Sequence, residues 1–190
     1  MMRTATAWPP RAGDHTSLVR AYADLLDWRL VVDDGEVSAG FENAVIHTGC
    51  AGFDAVALPR PVGNQVLIRL ESGGLGPVPS LITAAQVTFL VQAGTGTVLG
   101  GPPDVVVFSG SKARLVLPPS PGVRWDTPPW SPARPEPLAL LDGEQVRTAV
   151  LDALRLCNRP RGTAPPSAGA PTARSAGAGP QDSCGWRAGG

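Results

Sequence analysis

The chain has 190 residues, 43% of them hydrophobic, and its 16 Lys and Arg balance 16 Asp and Glu. That length suits one domain and a tail. A formal net charge of zero excludes an overall basic field of the kind that draws a protein to nucleic acid or a membrane surface.

Fifteen of the sixteen basic residues are Arg, Lys112 being the single Lys. With 23 Gly and 21 Pro, this bias reads as a GC-rich bacterial coding sequence rather than as a function. Cys50, Cys157 and Cys184 are odd in number and widely spaced. They fit neither a disulfide framework nor a zinc ligand pair, so reduced thiols in a cytoplasm are expected. The opening MMRTATAWPP has no apolar run after its Arg, unlike a signal peptide. No stretch approaches the ~18 apolar residues of a membrane span. The expectation is a soluble cytoplasmic protein with no membrane partner.

Residues 1–13 read as a flexible arm. Leu18, Val19, Tyr22, Leu25 and Leu26 then fall at helical spacing, with Thr16 or Ser17 as the cap. WRLVV is a strand, and Asp34-Gly35 after it is a hairpin turn signal. NAVIH and FDAVAL are two further strands by their β-branched residues and flanking glycines. A helix opens at Pro61 and carries Val62, Val66, Leu67 and Leu70. QVTFLVQ, DVVVF and ARLVL are strands again. The stretch PPSPGVRWDTPPWSPARPEP is too rich in proline for either element and reads as an extended segment held by packing. Val146, Ala149, Val150, Ala153, Leu154 and Cys157 form a last helical stripe, with Asp142 and Gln145 spaced as a capping box. Residues 158–190 are nearly all Ala, Gly, Pro, Ser, Thr and Arg, too poor in apolar side chains to offset the entropy of ordering. This tail, with four Arg against one Asp, reads as a disordered spacer in which only Trp186 has binding potential. The domain proper is 14–157, and the fold expected is α+β, a mixed β-sheet with flanking helices on one face.

The candidate chemistry is sparse. Asp33-Asp34 is a paired acid in sequence only, because neighbours on a strand point to opposite faces, and it reads as part of a turn. His47 and Cys50 are three apart but lack a second ligand pair, and His15 reads as a surface or cap residue. GTGTVLGG, residues 94–101, imitates a phosphate-cradling loop, yet Pro102-Pro103 follow where a helix must open, so it reads as a flexible loop. SGS at 109–111 lacks the flanks of a nucleophile elbow. Trp125 and Trp130 present faces on which bases stack, and equally suit pinning the proline-rich strap to the body. Asp54 stands inside a strand-like run. Two metal-binding acids on one strand need the i, i+2 spacing, but the positions two away are Gly52 and Val56. From these residues alone Asp54 reads as a hydrogen-bonded structural acid.

Taken in order over residues 18–130, four blocks resemble the bifunctional primase/polymerase N-terminal (Prim-Pol) domain, in a reduced actinobacterial version. LVRAYADLLDWRLVV is similar to its opening helix and strand, and GCAGFDAVALPRPVGNQVLIRL to its acid-bearing strand and next helix. LGPVPSLITAAQVTFLV looks like the hairpin that presents the family's histidine. SGSKARLVLPPSPGVRWDTPPW is similar to a late strand, a Pro-Pro-Ser turn and a closing aromatic. The resemblance implies a primase-like core that polymerises nucleotides on a DNA template, with two acids holding divalent ions and a histidine on the incoming nucleotide.

The chain departs from that pattern where catalysis resides. Asp54 matches one acid, but the second position is Val56. Gln86 and Thr88 stand in the histidine block, and DDGEVSAG replaces a loop that carries Lys or Arg. Removing one metal-binding acid costs several kcal/mol of transition-state stabilisation, and losing two or three such groups should abolish catalysis. The expectation is a catalytically degenerate primase/polymerase-like domain in which Asp54 is a remnant. No metal ligand set is assigned, Mg2+ or Mn2+ being the cofactor of an active form only. Residual, weak binding of DNA or nucleotide would use Gln86, Lys112, Arg114, Arg124 and Trp125. The alternative is a non-enzymatic domain that meets another protein through the proline-rich segment and has no nucleic-acid role. A third reading is a polymerase whose second acid is Asp104, set beside Asp54 by the sheet.

Overall fold

A computed structural model describes residues 15–33, 44–131, 133 and 136–158. The expected N-terminal arm, the Asp34-Gly35 turn and the C-terminal tail lie outside the described residues. The chain runs α1 (His15–Leu26), β1 (Leu30–Asp33), β2 (Val45–Pro59), α2 (Arg60–Ser72), β3 (Ser80–Ile82), β4 (Gln86–Gln92), β5 (Val106–Leu117), β6 (Arg124–Thr127) and α3 (Gly143–Cys157). One turn of 3-10 helix, Gly96–Leu99, lies between β4 and β5.

The helices follow from their sequences. α1 buries Leu18 and Tyr22 and begins at His15, so Thr16 and Ser17 fall inside its first turn rather than at its cap. It ends where Asp27 takes φ 55° and the Trp28 N–H returns to the Tyr22 carbonyl at 3.4 Å. Proline before and within the first turn of α2 needs no hydrogen bond there, and the helix buries Val62, Val66 and Leu70. α3 carries the expected capping box, with the Glu144 N–H donating to Asp142 Oδ1 at 2.8 Å and the Asp142 N–H to Gln145 Oε1 at 2.9 Å.

The architecture is α+β, but the sheet is antiparallel rather than mixed. Every strand pairing is antiparallel, and the one parallel contact is an isolated bridge, Val91 to Leu141. The reason is the tight turn between β3 and β4, where the Thr83 N–H donates to the Gln86 carbonyl at 2.9 Å. It sends β4 back between β3 and β2, so β2 and β3, which run parallel, are not neighbours. β1 and β4 lie along one edge of β2, and β5 along the other.

Helices cover both faces, not one. On one side Val56, Leu58, Val87, Phe89 and Val91 pack against α2 and α3. On the other, Ile46, Cys50, Phe53, Ala55 and Leu90 pack with Leu18 and Tyr22 of α1 and with Trp28 and Trp130. β2 and β4 are apolar on alternate and intervening positions alike, and a strand of that kind needs cover on both sides. Phe53 and Phe89 are wholly buried, worth about 1.5–3 kcal/mol each.

Two pairs of expected strands prove to be single strands. NAVIH and FDAVAL join as β2, and the segment around DVVVF joins ARLVL as β5. Gly49 pairs with Arg114, Cys50 with Gly110 and Ala55 with Phe108. Extra residues therefore lie in β2 between Cys50 and Ala55, and in β5 between Gly110 and Arg114. Each bulge resets the alternation of its strand. Because both strands reset together, His47 and Arg114 before the bulge share a face with Asp54 and Ser109 beyond it.

Candidate nucleic-acid interface and the buried acid

Asp54 is 1% exposed. The Gly96 N–H donates to its Oδ2 at 2.8 Å, and the Ser109 hydroxyl donates to its Oδ1 at 2.7 Å. The 3-10 turn closes over it so tightly that a Cβ on Gly96 would stand 2.7 Å from the Asp54 Cβ. α3 in turn closes on that turn. The Gly143 N–H donates to Thr95 Oγ1 at 2.9 Å, and a Cβ on Gly143 would lie 2.1 Å from the Thr95 carbonyl oxygen. GTGTVLGG is thus an ordered lid with Gly96 and Leu99 buried, not a flexible loop.

The strand neighbours of Asp54 supply no second acid. Val91 pairs with it on β4, and Ser109 faces it on β5. Asp104 precedes β5, is exposed, and lies beyond Val106, the partner of Ala57. It does not stand beside Asp54. Among the described residues no three His, Cys, Asp or Glu side chains converge on a common point. Cys50 and His47 occupy opposite faces of β2, Cys50 among the α1 cluster, so they are not a ligand pair. Burial, and secondly the charge of Asp54, push the Cys50 thiol from 9.0 to about 11. It stays protonated and unreactive near neutral pH.

His47 is 5% exposed and packed between two charged partners. Arg114 Nη1 is 2.6 Å from its Nε2, and Asp33 Oδ2 is 3.4 Å from its Nδ1. A guanidinium only donates, so Nε2 is the acceptor and Nδ1 carries the proton toward Asp33. Asp33 is the last residue of β1 and faces this histidine.

Beside this row the sheet opens. β1 pairs with residues 45–48 of β2 and β4 with residues 53–59, so residues 49–52 have no strand partner on that edge among the described residues. The gap forms a groove of about 380 Å³ lined by Asp27, Trp28, Arg29, Thr48, Gly49, Ala51, Gly52 and Ser111. Arg29 lines it; Arg114 is the β5 partner of Gly49 and Lys112 adjoins Ser111, neither being a lining residue. All three are exposed. Asp27 is the one acid among the lining residues.

Of the candidates read from the sequence, Lys112 and Arg114 lie on β5 near this groove; Arg29 was not singled out, and His47 and Ser109 drew notice only as half a ligand pair and part of an SGS without elbow flanks. Alternation from the apolar Leu30 marks Arg29 as outward-facing. Nothing local marks Ser109, whose partner is distant in sequence. The remaining candidates lie elsewhere. Gln86 is exposed at the start of β4, on the face opposite Val87. Arg124 pairs with Ile82 at the far edge of the sheet. Trp125 is half-buried, donates its indole N–H to Tyr22 Oη at 3.2 Å, and stacks edge-on to Trp130 at 5.7 Å. It anchors the proline-rich strap to the α1 side.

Comparison with protein-family models, with curated proteins and with solved structures returned no match.

Proposed function

We propose that this chain is a non-catalytic primase/polymerase-like domain that holds single-stranded nucleic acid or nucleotide phosphates weakly at the groove beside β2. One observation carries the reading. The acid at the position expected to bind a metal has both oxygens committed to internal donors, beneath a lid that only glycine permits. A carboxylate so held is a structural link between β2, β5 and the 3-10 turn. Arg29 in the groove wall, with Lys112 and Arg114 on the adjoining strand β5, supplies the retained affinity, because a phosphate backbone is drawn by neighbouring Arg and Lys even where the whole chain is neutral.

The test is anisotropy of labelled single-stranded DNA across a salt series. Binding is expected at low salt and to fall as salt rises. Lys112→Ala should flatten the slope of log K against log salt by about 0.7, one phosphate contact on a single strand. Mg2+- or Mn2+-dependent extension of a primed template, lost in Asp54→Ala, would overturn the non-catalytic reading. Absence of binding at low salt would overturn the nucleic-acid reading.

The second reading, a protein-interaction domain without a nucleic-acid role, is favoured by one different observation. Val31, Val45 and Val116 are 47%, 38% and 38% exposed among the described residues. Val31 and Val116 flank His47 on β1 and β5, so an apolar stripe crosses three adjacent strands.

A further inference from the structure

We propose that Arg60 and Arg124 form a binding notch for a dianionic phosphate monoester, separate from the groove beside β2. The two residues line one depression of about 340 Å³ with Ile82, Thr83, Ala84, Gly122 and Val123. Arg60 opens α2 and is held on the β3–β4 turn at two points. Its N–H donates to the Ala85 carbonyl at 2.8 Å, and its Nη1 donates to the Thr83 carbonyl at 3.3 Å. Arg124 opens β6 and is placed on the same face by its pairing with Ile82, which packs toward α2.

No acid lines the depression, and among the described residues neither guanidinium has a carboxylate partner. Two like charges held at one site without a counter-ion raise each other's energy, and a dianion between them relieves both. Ala84 and Gly122 line the depression, and their N–H groups make no hydrogen bond among the described residues. Thr83 Oγ1 is already engaged by the Ala85 and Gln86 N–H groups, which leaves the arginines as the charged contacts.

The class of ligand follows from charge and shape. Paired guanidiniums match a doubly charged tetrahedral group better than a single carboxylate, through forked N–H donors to separate oxygens. The notch is larger than a phosphate group, and Ile82 and Val123 give it an apolar wall for the organic part of an ester.

Calorimetric titration of the full chain with ribose 5-phosphate, inorganic phosphate and ribose tests the assignment. Saturable binding of ribose 5-phosphate is expected, tighter than inorganic phosphate and absent for ribose. Arg124→Gln should weaken it at least about tenfold, with Arg124→Lys intermediate and Arg147→Gln, on the exposed side of α3, without effect. Arg60→Gln should act likewise, urea denaturation confirming that α2 remains folded. Equal affinity for inorganic phosphate would overturn the monoester in favour of the free anion. No saturable binding, or binding untouched by Arg124→Gln, would overturn the notch. Loss in Lys112→Glu alone would assign the ligand to the groove instead.

Discussion

Asp54 accepts from a backbone N–H 42 residues away and a hydroxyl 55 residues away. At the scale of single residues, its role is decided by those two donors and by the glycines that let them approach. Gly96→Ala would drive a methyl group to 2.7 Å from the Asp54 Cβ. Either the turn lifts, breaking the bond to Oδ2, or β2 shifts. A loss of about 1–3 kcal/mol is expected, as for other overpacked interiors, read as a lower urea midpoint. An unchanged midpoint would show that the turn does not rest on Asp54. Asp54 and its non-acidic neighbour Val56 were legible in the sequence, because strand spacing is local. Gly96 and Ser109 were not, since nothing local pairs residues so far apart.

At the scale of elements, the helices announced themselves. The period of α1 and α3, the proline at the start of α2 and the Asp142–Gln145 box are signals contained within a dozen residues. Asp142→Ala removes the acceptor for the Glu144 N–H. It should cost about 0.5–2 kcal/mol, seen as a lower denaturation midpoint with an unchanged slope. A change in the slope would point instead to a change in the compactness of the unfolded or native state. The strands were legible as apolar runs but not as units. The run Gly49–Cys50–Ala51–Gly52 looks like a break, yet β5 bulges opposite it and keeps the ladder continuous. β6 escaped notice, and β3 entered only through the hairpin that the resemblance implies, because three- and four-residue strands are defined by their partners rather than by their own pattern.

At the scale of the whole molecule, the two-sided sheet places Tyr22 in a nearly dry layer with Trp28, Trp125 and Trp130. Burial, opposed by the hydrogen bond from Trp125, pushes its hydroxyl from 10.0 to about 12. The folded state therefore holds a proton that the unfolded chain releases. This contribution is complete below pH 10 and is lost as pH rises toward 12, up to about 3 kcal/mol in all. Cys50 acts in the same direction between 9.0 and about 11. Stability measured by urea denaturation should fall across this alkaline range, and Tyr22→Phe should flatten the decline. A decline of equal steepness in the variant would remove Tyr22 from the account.

By itself the sequence determined the helices, the apolar strands, the neutral balance of charge and the lack of a second acid two positions from Asp54 on its own strand. Each of these depends on residue type or on spacing within a few positions. Only the tertiary structure decided the order and direction of the strands, the covering of both sheet faces and the sealing of Asp54. It alone opened the groove beside Arg29 and brought Arg60 and Arg124 to one depression. Those arrangements join residues tens of positions apart, and their geometry is set by register, bulges and close glycine contacts that no local pattern encodes.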